Sequence, residues 1–250
     1  MGTLVWDFDG TLGYRVGGWA GACVDVLEDT DPAREVTIED VRPHLQSGYP
    51  WHTPERPHTD VSTADEWWRQ LYPRFSTAFE ANGVSPDRAR DLARDVRRTY
   101  VTSDWHVYED AIPALSRLAE EGWRHVVLSN HVPELASILE SLELTAHLEV
   151  IYVSAAIGYE KPHPEAFRPV LSDIGFDPGD FDEADRVITA SDESNPDIWM
   201  IGDSYRADVA GANAVGLPGI LVRDSHPEAT YECDDLSSID DILSDPRTAP

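Results

Sequence analysis

The sequence predicts an α/β fold, an open parallel sheet interrupted early by a helical insertion. Three observations carry that prediction. Five short apolar runs each lead into polar residues, helical stripes separate the last four of them, and a long stretch without strand pattern, residues 15–103, follows the first. Unbroken apolar runs suit a parallel sheet because helices cover both of its faces.

The first strand is Thr3-Leu4-Val5-Trp6, which leads directly into Asp7-Phe8-Asp9-Gly10-Thr11. In the insertion, Trp67, Trp68, Leu71, Phe75 and Phe79 predict one helix over Ala64 to Ala81. Ser85 as N-cap, with Ala89, Leu92, Ala93, Val96 and Tyr100 on one face, predicts another. Gly48 to Thr59, rich in proline and histidine, reads as an irregular loop, and Gly17-Gly18 as a flexible hinge.

The sheet pattern then resumes. A helix carrying Ile112, Leu115, Leu118 and Ala119 ends at Gly122 and precedes a strand from His125 to Leu128. A stripe of Leu135, Ile138, Leu139 and Leu142 leads to a strand over Glu149 to Val153. Phe167, Val170, Leu171 and Ile174 mark a third helix, closed by Gly175, and the acidic stretch Asp177 to Asp197 reads as a solvated excursion. Strand Ile198 to Ile201, a helix over Val209 to Val215 and strand Gly219 to Val222 complete the pattern. The division this predicts is a core domain of residues 1–14 and 104–250 and a helical cap domain of residues 15–103.

Composition narrows the partners. The 250 residues hold 19 basic and 47 acidic side chains, a formal net charge of −28. That charge repels nucleic acid and anionic membrane surfaces. Two distant cysteines, Cys23 and Cys233, imply neither a disulfide framework nor a zinc site. No basic leader is visible and no run approaches the roughly 18 apolar residues of a membrane span, so the expected compartment is the cytoplasm. Of the 19 basic residues only Lys161 is lysine. An acidic, lysine-poor surface is the expectation for a saline cytosol, where at molar salt a Debye length of roughly 3 Å screens carboxylate repulsion.

The chemistry lies just past the strands. Asp7 and Asp9, Ser129 and Asn130, Lys161, and Asp203 with Asp208 each follow a predicted strand. In a parallel sheet the carboxyl ends of the strands form one edge, where ligands bind. Asp7, Asp9 and Asp203 at close quarters repel one another and call for a cation, and an all-oxygen ligand set of few carboxylates suits Mg²⁺. A hard cation, a lysine, a hydroxyl and an amide together complement a phosphoryl group, with Ser129 and the backbone N–H groups around Gly10 expected to hold its oxygens. A carboxylate in such a site can act as nucleophile and form an acyl phosphate.

The four motifs Asp7-Phe8-Asp9-Gly10-Thr11-Leu12, Leu128-Ser129-Asn130, Glu160-Lys161-Pro162 and Gly202-Asp203-Ser204 through Asp208 resemble, in this order, those of the haloacid dehalogenase (HAD) superfamily. The resemblance covers nearly the whole chain and is to the branch with a helical cap after the first motif. It implies a Rossmann-like core, Asp7 as nucleophile, and Asp9 as general acid and then base. Ser129, with Asn130, Gly10 and Thr11, would contact the phosphoryl group, and Lys161 would pair with Asp7 and the phosphate. Asp7, the Asp9 carbonyl and Asp203 would ligate Mg²⁺, with Asp208 in support.

An aspartate at position 9 favours phosphoryl transfer over dehalogenation, because a leaving alcohol has to be protonated. The implied activity is a phosphatase acting on a small phosphorylated metabolite. A sugar-phosphate mutase, a dehalogenase and an inactive binding protein are the alternatives. Elsewhere, His44, His52, His58 and His106 fit no zinc spacing and read as loop surface. Trp51, Trp67 and Trp68 read as cap core, with the option that one contacts substrate. Arg56 and Arg69 are candidates for a substrate carboxylate or second phosphate. Tyr159 and Glu160 read as structural or solvent-facing.

Overall fold

The computed structural model describes residues 2–175 and 198–244, so the acidic stretch Asp177 to Asp197 lies outside the described residues. The strands are β1 (Thr3–Trp6), β2 (Gly13–Arg15), β3 (Trp105–Val107), β4 (Arg124–Ser129), β5 (Val150–Val153), β6 (Ile198–Gly202), β7 (Gly219–Val222) and β8 (Tyr231–Cys233). Six of them form one sheet in the order β5-β4-β1-β6-β7-β8, with every pairing parallel. The fold is the α/β class the sequence predicts.

β1 lies between β4 and β6, and its side chains alternate between two apolar layers. Leu4 and Trp6 pack with Leu115, Leu118, Leu135 and Ile138, whereas Val5 packs with Phe167, Val170, Leu171 and Ala212. A strand buried on both faces has no place for a polar residue until it ends, so the aspartates begin where the apolar run stops. Trp6 pairs with Val127 on one side and Ile201 on the other, which brings Asp7, Ser129 and Asp203 to one edge. That edge, where the strand order changes direction, is where an open α/β sheet binds ligands.

Between β2 and β3 the chain is mainly helical: Gly18–Thr30, Ile38–Val41, Ala64–Arg69, Tyr72–Ala81 and Pro86–Thr102. β2 and β3 pair antiparallel where the chain enters and leaves this insertion. Trp67, Trp68, Phe75 and Phe79 are fully buried and share one apolar cluster with Leu4 and Trp6 of the sheet.

Several elements differ from the sequence prediction. The single helix over Ala64 to Ala81 is two, because Pro73 lacks an N–H and its ring crowds the carbonyl four residues back. Gly17 and Gly18, read as a hinge, have φ of 66° and 53° and start helix Gly18–Thr30, which carried no clear signal. Ile112 is an exposed position of helix Ala111–Glu120, whose buried face is Ala111, Ala114, Leu115 and Leu118. Among the described residues no helix is long and apolar enough to cross a membrane.

Candidate active site

The first motif leaves β1 in a tight turn. The Phe8 carbonyl accepts from the amides of Thr11, Leu12 and Gly13 at 3.1, 3.0 and 3.0 Å, and Gly10 N–H donates to the Gly13 carbonyl at 2.8 Å. The amides of Gly10 and Thr11 therefore serve the turn. Gly10 has φ of 92°, and a Cβ there would lie 2.2 Å from Asp203 Oδ2. Only glycine lets this turn approach the carboxylate so closely. The Thr11 hydroxyl donates to Asp203 Oδ1 at 3.3 Å, and Arg223, stacked 3.8 Å over Tyr108, donates to the Thr11 carbonyl.

Lys161 is the centre of the site's electrostatics. It is 1% exposed, and its Nζ donates to Asp7 Oδ1 at 3.0 Å, Asp208 Oδ1 at 2.6 Å and the Leu128 carbonyl at 2.7 Å. All three ammonium protons are thereby used. The lysine's backbone is clamped as well, since Asn130 Nδ2 donates to the Lys161 carbonyl and Lys161 N–H donates to Asn130 Oδ1 at 2.7 Å. Asn130 lines the cavity and, through this clamp, also positions the lysine. Asp208 is buried, and its Oδ2 accepts from the Ser204 amide at 3.0 Å.

Oxygens of Asp7, Asp203 and Asp208 lie within 4.8 Å of one another. With Asp9 nearby, four carboxylates share one ammonium. Burial, followed by the charges of Asp7, Asp208 and Asp9, pushes the Asp203 pKa above the carboxylate range, and burial likewise raises Asp208 against the pull of Lys161. Asp9 is open to the cavity yet walled by protein; burial first and the Asp7 charge second push its pKa up to about 7. A cluster this short of positive charge, with an all-oxygen donor set, fits a hard divalent cation.

Asp7, Asp9, Asn130, Lys161, Asp203 and Asp208 line a cavity of about 470 Å³ between the sheet edge and the insertion. Ser129 is buried at the end of β4 and, with Gly10 and Thr11, is not among the lining residues. Arg56 and Arg69 are exposed and do not line it either.

Other residues enter that the sequence did not mark. His131 is 2% exposed, lies against Phe8, Tyr100 and Trp105, and lines the cavity. Burial, partly offset by the Asp7 charge, lowers its pKa to about 4. Trp19, Tyr49, Trp51 and Tyr100 form the opposite wall. His58 is buried rather than on the loop surface, and Glu160, 0% exposed, is not solvent-facing: His58 Nε2 and Glu160 Oε1 lie 3.0 Å apart. His58 N–H also donates to the Gly158 carbonyl at 2.8 Å, and a Cβ on Gly158 would meet Thr59 at 2.7 Å. The insertion is thus fastened to the loop that carries Lys161. These contacts join residues about a hundred positions apart, so no local pattern announces them.

Residues 1–216 match the family described as "Hydrolase: haloacid dehalogenase-like hydrolase". The haloacid dehalogenase-like hydrolase domain-containing protein 3 of Mus musculus is 27% identical over 240 residues, 91% of this chain and 84% of that protein. A ribulose-1,5-bisphosphate 5-phosphatase of Halopiger xanaduensis is 28% identical over 178 residues, 70% of this chain and 66% of that protein. Among solved structures, the magnesium-bound HAD-hydrolase YfnB of Bacillus subtilis superposes with a TM-score of 0.69 at 22% identity, covering 96% of this chain and 97% of that one.

Proposed function

Because the chain belongs to the haloacid dehalogenase-like hydrolase family, we propose that it is a Mg²⁺-dependent phosphatase that cleaves a small phosphomonoester through an aspartyl phosphate on Asp7. One observation carries this reading. Asp7 is held by a buried ammonium at 3.0 Å, and Asp9, two residues on, opens to the same cavity, with its surroundings directing its pKa upward. The first is set up as a nucleophile and the second as a proton carrier near neutral pH.

In the first step an Asp7 oxygen forms a bond to phosphorus while the bond to the leaving oxygen breaks. Asp9 gives that oxygen its proton, so an alcohol departs. In the second step Asp9 takes a proton from water, whose oxygen attacks phosphorus and frees Asp7 and phosphate. Lys161 holds Asp7 in place and offsets the charge that gathers on the phosphoryl oxygens. A bound Mg²⁺ would be held by Asp7 and Asp203, with the Asp9 carbonyl, and would supply further charge neutralisation at phosphorus. Asp208, with both oxygens engaged by Lys161 and Ser204, supports that set from behind.

Residues 15–103 act in this reading as a cap that screens the site from bulk water, over a core of residues 1–14 and 104–250. A dehalogenase has no use for a proton carrier at Asp9, and a mutase would release little phosphate. The charge of −28 supports a saline cytoplasm as the compartment. Thermal unfolding should then be markedly higher in molar than in millimolar KCl, and equal values would refute that placement.

The test is phosphate release from p-nitrophenyl phosphate. Activity should vanish with EDTA and return with excess Mg²⁺. Undiminished activity in EDTA, or no release with Mg²⁺ present, would contradict the reading.

A further inference from the structure

We propose that the cavity selects phosphomonoesters whose leaving group ends in a flat, uncharged heteroaromatic ring, the chemistry of a nucleoside monophosphate. This rests on the phosphatase reading of the same site. Three independent features of the cavity wall point to it.

The first is an aromatic wall. Trp19 stacks on Tyr100 with centroids 3.8 Å apart and planes within 6°, and Tyr49 stacks on Trp51 at 4.9 Å and 3°. Trp19 and Tyr49, 5.3 Å apart, join the two pairs. Phe75 and Trp68 pack against Trp19 from the insertion's core. The wall is therefore fixed before any ligand arrives, and little side-chain entropy is lost on stacking a ring against it. Trp19 and Trp51 are only half-buried and line the cavity.

The second feature is polar. Tyr49 and His131, 3% and 2% exposed, both line the cavity. The Tyr49 hydroxyl and both His131 ring nitrogens have no hydrogen-bond partner among the described residues. Buried donors and acceptors left open are costly, so a ligand that supplies their partners gains by it. Between them the two side chains offer donors and acceptors, which a heteroaromatic ring with N–H, ring nitrogen or carbonyl groups can answer.

The third is a lack of charge. The insertion's share of the lining contains neither lysine nor arginine. Lys161 has its three protons placed already, and Arg206 is exposed. Among the described lining residues no buried cation is left free for a substrate carboxylate or a second phosphate. The volume of about 470 Å³ lies within the range of pockets that enclose such ligands.

The test compares kcat/KM of the Mg²⁺-loaded protein for AMP, ribose 5-phosphate and fructose 1,6-bisphosphate. AMP should exceed ribose 5-phosphate by at least about tenfold, the contribution of a single stacked base. Trp51→Ala should lower that ratio about tenfold, and Trp51→Phe should keep most of it. Equal or better turnover of either sugar phosphate, or an unchanged ratio in Trp51→Ala, would overturn the proposal. If no ester is hydrolysed, the phosphatase reading fails, and calorimetry then decides the pocket. AMP binding at least about tenfold tighter than ribose 5-phosphate would support the proposal, whereas equal or absent binding would overturn it.

Discussion

The two sides of the cavity are built on opposite principles. At the sheet edge the polar groups are bound to one another: Lys161 to Asp7 and Asp208, Asn130 to the lysine backbone, Thr11 to Asp203. Across from it the wall is aromatic, and the Tyr49 hydroxyl finds no partner among the described residues. The difference, on the proposed function, is between a side built for one constant group and a side that meets the variable part of the substrate. A phosphoryl group is the same in every ester, so its site can be preorganised; the leaving group is what varies.

Removing the charge network should have the largest effect. Lys161→Met leaves Asp208 and Asp7 without their ammonium, and breaking a buried pair costs about 3–5 kcal/mol. Thermal or urea unfolding of the metal-free variant should show that loss, and phosphate release should fall on the order of a thousandfold. An unchanged midpoint would mean that the edge is not held by electrostatics.

The sheet edge also predicts a response to acid, through His131 beside Asn130. The His131 pKa falls from the ordinary value near 6.5 to about 4 on folding, so between those values the unfolded chain binds more protons than the folded one. Its stabilising contribution is complete above about pH 6.5 and is lost as pH falls toward 4, by at most about 3 kcal/mol. Denaturant midpoints from pH 7 to 4 should decline less steeply in His131→Leu than in the parent. Identical slopes would contradict the burial of a neutral imidazole.

A smaller effect should come from the fastening between the two sides. His58→Ala leaves Glu160 buried without its partner and should cost about 1–3 kcal/mol in unfolding free energy. Because Glu160 adjoins Lys161, kcat should fall as well, and His58→Gln should recover part of both. A variant with unaltered stability and kcat would show that the two sides are independent.

The same contrast explains what the sequence made legible. A parallel sheet gathers the ends of its strands, so apolar runs followed by Asp7, Ser129, Lys161 and Asp203 announced both the fold and the polar edge of the cavity. The aromatic side arises from packing between distant segments. Trp19, Tyr49, Trp51 and Tyr100 come from three places in the insertion and meet only in the folded state. The loop Gly48 to Thr59, irregular by composition, supplies two of the four. His58 and Glu160 are separated by 102 positions, and the amide clamp of Asn130 on Lys161 has no sequence signature. β2 and β3, three residues each, are too short to show alternation.

The central claim is that Asp7 carries the phosphoryl group during turnover. Rapid acid quench of the Mg²⁺-loaded protein during hydrolysis, followed by peptide mass spectrometry, tests it most directly. A phosphoryl adduct should appear on the peptide carrying Asp7 and be absent in Asp7→Asn, which should also release no phosphate. An adduct on another residue, or sustained turnover by Asp7→Asn, would contradict the account.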